Sequence, residues 1–361
     1  MKTCKKLTLS LLAALLLPLF IFANPNKATY EKERLIKKSF NVSAEALLKV
    51  DNAYGNLTIT TWKENRIEMV ITIKAEGYNK DKVIEKIEGV DIDFMASANM
   101  VSAKTIFNNQ RSGWSWNWGN NNVNLSVHYS IKMPASNSVD LENDYGNIVL
   151  DRLDGHAKID CDYGRIEIGS LNGKNNELNF DYTSKSSIGY IHSGYINADY
   201  SGMSIDQAGD LDIETDYTTI SVGKMKNLNY DADYGSIEVA EAHDVNGMGD
   251  YISTKLGLLH GNVSLDADYG SIKIEEMAAD AGNLSISSDY TGVKIGYHPN
   301  YHFQFEIETK YAGVSGKDNF EMSISKEKSS AKYFKGFYGA ANAKNSLQIL
   351  SKYGGVSFSK Q

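Results

Sequence analysis

Asp233-Tyr234-Gly235-Ser236-Ile237-Glu238-Val239 returns as Asp268-Tyr269-Gly270-Ser271-Ile272-Lys273-Ile274, and earlier as Asp162-Tyr163-Gly164-Arg165-Ile166-Glu167-Ile168. The same phrase, or a near relative, places tyrosines at 145, 163, 182, 200, 217, 234, 251, 269, 290, 311 and 353. Successive tyrosines lie 17 to 21 residues apart until a last step of 42, which reads as two periods with a degenerate unit around Tyr333. An outlying copy, Asp51-Asn52-Ala53-Tyr54-Gly55-Asn56-Leu57-Thr58-Ile59, stands far upstream. A fixed period of this size is the mark of a repeat architecture, in which no unit buries its apolar face alone.

The residues around each tyrosine say what the unit is. Four and six residues before it the chain is apolar, as at Leu211 and Ile213 or Leu284 and Ile286. Three and five residues after it the chain is apolar again, as at Ile220 and Val222 or Ile272 and Ile274. Alternation with period two describes strands with one buried face. The switch of parity occurs at the tyrosine and the small residue after it, where a glycine is expected to turn the strand. Each unit therefore reads as strand, corner, strand and polar connection, with no room for a helix. The expected fold is all-β: a single-chain β-solenoid (β-helix), right-handed, of 17–21-residue coils stacked about 4.8 Å apart. A β-propeller needs about 40 residues and four strands per blade, which the period does not supply. The tyrosines share the inward parity, so they are expected to stack as an aromatic ladder in the core.

Between the outlying copy and the main series the repeat lapses. Ile67, Met69, Ile71 and Ile73 alternate as a strand, Asn79 to Gly89 reads as a short helix, and Val123 to Met133 as another strand. The expected division is 1–23 as a signal peptide, 24–135 as an N-terminal β region, and 136–361 as the repeats. The N-terminal region holds a first repeat at 46–62 and a capping insert at 63–135, which would cover an otherwise open strand edge.

Lys2, Lys5 and Lys6 precede an apolar run from Leu7 to Phe22 that ends at Ala23, the pattern of a secretory signal peptide. Its removal would take Cys4 with it and leave Cys161 alone, without an internal disulfide. No later stretch is long and apolar enough to span a bilayer. The chain is thus expected to be exported, to the periplasm, cell surface or medium. With 45 acidic against 37 basic side chains, a phosphate-binding surface and a nucleic-acid partner are disfavoured. With 42% hydrophobic residues the chain can build a core and is not disordered.

The order of these features resembles the bacterial "putative adhesin" family of β-strand-repeat proteins, relatives of the auto-transporter-adhesin head, or GIN, domains. The matching pieces are the leader, the Tyr54-Gly55-Asn56-Leu57-Thr58-Ile59 strand running into Thr61-Trp62, the Tyr129-Ser130-Ile131-Lys132-Met133-Pro134 strand, and the long Tyr-Gly-x-Ile-x-Ile series. The resemblance implies a β-helical fold and an envelope or extracellular location, and it brings no catalytic residues with it.

Three groups of residues are candidates for chemistry. Asp144, Asp162, Asp181, Asp199, Asp216, Asp233, Asp250, Asp268 and Asp289 each precede a tyrosine, and Glu142, Asp160, Glu214, Asp231, Asp266 and Glu308 add carboxylates two residues earlier. Stacked carboxylates repel unless something offsets them. One reading has each aspartate accept a hydrogen bond from its own Tyr-Gly corner. The other has Asp144, Asp162, Asp199, Asp216, Asp233 and Asp268 hold a column of weakly bound Ca²⁺. No unit matches the glycine-aspartate nonapeptide of Ca²⁺-binding β-rolls. Trp114, Trp116 and Trp118 fall on one face of an extended segment, as a platform for a ligand or as a lid on the core. His298 and His302 flank Pro299 without an evident third ligand, which makes zinc a poor reading.

These features point to an exported, non-enzymatic adhesin that presents repeated polar faces to carbohydrate or to a cell-surface or envelope protein, with no cofactor. A polysaccharide-active β-helix enzyme and a purely structural envelope scaffold are the rival readings.

Overall fold

The computed structural model describes residues 29–108 and 123–361. The signal-peptide reading at 1–23 and Trp114, Trp116 and Trp118 lie outside the described residues. Among the described residues, 28 strands are hydrogen-bonded into one sheet, with one α-helix, Lys80–Glu88. No helix among them is long and apolar enough to cross a membrane.

Equivalent positions of successive repeats are hydrogen-bonded neighbours in parallel. Ile159 pairs with Leu141 on one side and Leu178 on the other. On the far side of the corner Ile168 pairs with Leu150 and Ile188. A slip of one residue would turn every apolar side chain outward, so the alternation itself fixes the register. The buried residues run in columns, one of which passes through Ile196, Ile213, Tyr230, Gly247, Leu265 and Ile286. Two residues before each tyrosine the inward position is mostly small, as at Cys161, Ala198, Ala232 and Ala267. Cys161 is a free, buried thiol, pushed up to about 12 by desolvation and then by Asp162, Asp160 and Asp144.

Both ends of the parallel array depart from simple stacking. Tyr30–Asn41 runs antiparallel to Arg66–Gly77, which runs antiparallel to Val123–Pro134. That last strand lies parallel to Leu57–Trp62. The helix starts where the Asn79 side chain accepts the Lys82 amide at 3.1 Å, and it buries Val83 and Ile87. Here the inward column is polar. Asn52 donates to Asn143 Oδ1 at 2.9 Å and Thr105 donates to Asn52 Oδ1 at 2.9 Å, so these buried amides have partners.

At the other end the order of repeats is not the order of the chain. Asn345–Lys352 lies parallel between Leu284–Asp289 and Phe303–Lys310, and Val356–Lys360 lies between Gly292–Tyr297 and Val314–Ser315. The last repeat in sequence is therefore inserted beneath the one before it. The degenerate unit expected around Tyr333 is instead part of an antiparallel pair, Glu321–Glu327 with Ala331–Tyr338, laid against Phe303–Lys310. Chain reversal allows the antiparallel pairing that a parallel repeat cannot make with its immediate successor.

Candidate functional site

The corner tyrosines do not lie in the core. Eleven of them, from Tyr145 to Tyr353, are 44 to 63% exposed. The cause is local. The tyrosine, and not the residue after it, adopts the left-handed backbone, with φ of 51 to 63° in every rung from Tyr54 to Tyr353. Positive φ swings the side chain out of the extended alternation, so the parity that assigned it inward fails at that one residue. A left-handed backbone costs a non-glycine residue about 1–2 kcal/mol. It is offset by a repeated bond: Tyr163 N donates to Asp181 O at 3.0 Å, Tyr182 N to Asp199 O at 3.0 Å, and Tyr217 N to Asp233 O at 2.9 Å.

Glycine is needed beside it for a different reason. A Cβ on Gly164 would lie 2.0 Å from the Gly146 carbonyl oxygen, and one on Gly146 would lie 1.8 Å from that of Gly55. Where a repeat has Thr218 there, its hydroxyl reaches the Ala198 and Asp216 carbonyl oxygens at 2.9 Å.

The rings form one continuous stack. In spatial order it runs Tyr54, 145, 163, 182, 200, 217, 234, 251, 269, 290, 353 and 311, with centroids 4.6 to 5.4 Å apart and planes within 9°. Between the two ends of the stack each face is covered by the next ring, so the stack offers the surroundings its edges and hydroxyls. A sugar ring cannot stack on these faces along the ladder; it can meet only the edges. Desolvation first, then the neighbouring rungs and aspartates, holds the Tyr163, Tyr200, Tyr234 and Tyr269 hydroxyls above the ordinary phenol value. They stay neutral donors.

Beside the rings runs the aspartate column. Where an amide satisfies a carboxylate, at Asp162, Asp181, Asp199, Asp233 and Asp268, it is not that of its own Tyr-Gly corner. It belongs to the aspartate of the neighbouring repeat: Asp181 N donates to Asp162 Oδ1 at 3.2 Å, Asp216 N to Asp199 Oδ1 at 3.0 Å, Asp250 N to Asp233 Oδ1 at 2.7 Å, and Asp289 N to Asp268 Oδ1 at 3.0 Å. The column meets a cation where Lys352 Nζ stands 3.2 Å from Asp289 Oδ2. Among the described residues no group of three or more His, Cys, Asp or Glu converges as a metal centre would require. His298 Nδ1 accepts the Asn300 amide at 3.1 Å.

Desolvation and then like charge raise Asp144, Asp216 and Asp250, and Asp181 is raised mainly by desolvation. Asp160 is pushed up to about 6, by desolvation and then by Asp162, Glu142, Asp144 and Asp181. A carboxyl raised in the folded state favours folding while protonated, and that advantage is lost as pH rises from 3.8 through about 6. His128, lowered by burial and then by Lys74, opposes this as pH falls. Glu241, Asp244, Asp280 and Glu306 are lowered too, but their contribution is present above the ordinary values of 3.8 to 4.5 and is lost only below them, whereas Asp160 titrates between pH 5 and neutral. The melting temperature is therefore expected to be higher at pH 5 than at neutral pH. Asp160→Asn should raise it at neutral pH and narrow the difference. A wild-type protein that melts lower at pH 5 would contradict this balance.

No protein-family model matches this chain, and no curated protein matches it. It is similar to a solved "putative cell adhesion protein" from Clostridium sporogenes, 12% identical, over 92% of this chain and 100% of that one, with a TM-score of 0.19. It is similar to a "putative adhesin" from Parabacteroides distasonis, 10% identical, over 90% and 97%, with a TM-score of 0.31. A "putative lipid binding protein" from the same species is 11% identical over 90% and 96%, with a TM-score of 0.27. The second bears the name of the family that the repeat motifs resemble, and the first a related one. At these TM-scores nothing about this chain's ligand, partners or chemistry follows from them.

Proposed function

We propose that this chain is an exported, non-enzymatic β-solenoid that acts as an adhesin on a cell surface or envelope partner. The observation that carries this reading is the unbroken outward stack of tyrosine edges beside a column of aspartates. Such a surface repeats one set of donors and acceptors every 4.6 to 5.4 Å and has no single point where different groups converge on a reacting atom. Its carboxylates lie in a repeating column, five of them satisfied by the backbone amide of the next repeat, whereas polysaccharide hydrolysis needs a unique pair with different environments. Many weak contacts on one rigid face combine into avidity that no single contact has.

The test is retention of the purified protein on whole cells and on a glycan panel, with and without Ca²⁺. It runs beside a variant carrying Tyr200→Asn, Tyr217→Asn and Tyr234→Asn, since asparagine tolerates the left-handed backbone. A second variant carries Trp114→Ala, Trp116→Ala and Trp118→Ala. Retention should fall about tenfold or more in the tyrosine variant, because losing adjacent contacts breaks avidity, while circular dichroism shows an intact β fold. Equal retention of wild type and tyrosine variant, loss confined to the tryptophan variant, or no retention at all would each overturn the ladder as the adhesive face.

A further inference from the structure

Near the inserted last repeat the outer face just past the corner changes character. Two residues after the tyrosine, the outward column reads Ser271, Gly292, Gly355 and Gly313 along neighbouring strands. These three glycines differ from those at the corner. A Cβ added at Gly292, Gly313 or Gly355 would meet nothing within 4 Å, and none of them has a left-handed backbone. Neither close approach nor conformation requires glycine there. What their bareness does create is a groove, a cavity of about 530 Å³, in the size range of small-ligand sites.

The groove is basic in an otherwise acidic protein. Lys255, Lys273 and Lys294 are in parallel register on adjacent strands, and Lys273, Lys294 and Lys332 line the cavity. No acidic residue lines it. Lys273 is paired with Glu275 at 2.5 Å and Lys332 stands 3.9 Å from Glu327. Lys255 and Lys294 make no ion pair among the described residues. Stacked like charges repel, and in the aspartate column that repulsion is met by backbone amides at Asp162, Asp181, Asp199, Asp233 and Asp268 and by Lys352 at Asp289. No equivalent answers Lys294. Ser271, Ser315 and Ser357 add hydroxyls at the same floor.

We propose that this groove binds an acidic glycan, with the carboxylate or sulfate on Lys294 and its neighbours. The bare glycine floor takes the flat side of a sugar ring and the serines its hydroxyls. This site is separate from the tyrosine ladder, and either can fail while the other stands.

Calorimetric titration of the full protein tests it with an oligogalacturonate, a heparin oligosaccharide, a neutral maltooligosaccharide of equal length, and inorganic phosphate. The two acidic probes distinguish carboxylate from sulfate as the preferred group. At least one acidic probe should bind, the neutral one should not, and added salt should weaken binding. Lys294→Gln should weaken it about fivefold or more, as loss of a charged hydrogen bond does. Gly355→Gln should block it by filling the groove, without loss of stability, because the site has room for the side chain. Failure of both acidic probes, equal binding of the neutral one, binding of phosphate as tight as that of the oligosaccharides, or indifference to both substitutions would overturn the proposal.

Discussion

Replacing Gly247 by leucine is expected to destabilise the protein by about 3 kcal/mol, the upper range for an overpacked core. Replacing Tyr230 by isoleucine in the same molecule should recover much of that loss. Gly247 occupies a core position, in register with Tyr230 on one side and Leu265 on the other. A Cβ there would lie 2.0 Å from the Tyr230 ring and 2.6 Å from its hydroxyl. Tyr230 cannot give way easily, because it is 6% exposed and its hydroxyl is 2.9 Å from that of Thr254. The pair thus fills the space that two aliphatic residues fill elsewhere in the column. With leucine at 247 and isoleucine at 230 the column becomes uniformly aliphatic, like its neighbours at Ile213, Leu265 and Ile286. Recovery stops short of complete, since an unpartnered buried hydroxyl at Thr254 costs about 1–3 kcal/mol. Urea denaturation of the two single variants and the double variant measures a favourable coupling of about 2 kcal/mol if the account holds. Losses that simply add would show that the two positions do not share one space.

The sequence made much of this legible and misled at definite points. The apolar residues before and after each tyrosine, such as Ile213 and Ile220, alternate as strands do, and they form the core in the expected register. The short helix was readable from Val83 and Ile87, and Asn79 caps it. The tyrosines were misplaced because parity assumes an extended backbone at every residue. The left-handed turn sits on the tyrosine itself, and nothing in a Tyr-Gly pair says which of the two carries it. Gly247 was a legible anomaly, a gap where an apolar residue was due. Only the register shows that Tyr230 of the preceding repeat fills it. The inserted last repeat was illegible, because Leu347 and Ile349 match every other repeat equally well and chain order does not dictate neighbours. The Lys255, Lys273 and Lys294 column was available in the sequence, once each repeat is aligned on its tyrosine and read four residues onward. The lysines stand where other repeats carry glutamate or an uncharged residue, as at Glu238 and Ser221, so they leave no mark in the period itself.

The outward tyrosine ladder is the feature on which the fold, the corner chemistry and the proposed adhesion all depend, and nitration of tyrosine tests it most directly. The folded protein is treated briefly with tetranitromethane at mildly alkaline pH, digested, and mapped by mass spectrometry. The ladder presents ring edges, where nitration occurs, so peptides containing Tyr163, Tyr200, Tyr217, Tyr234 and Tyr269 should be modified first. Tyr129, Tyr230, Tyr297 and Tyr301, all between 0 and 6% exposed, should stay intact until the protein is unfolded. The contrast is expected to be near all-or-none. Corner tyrosines that resist modification as well as Tyr230 does would return the ladder to the core and contradict the account.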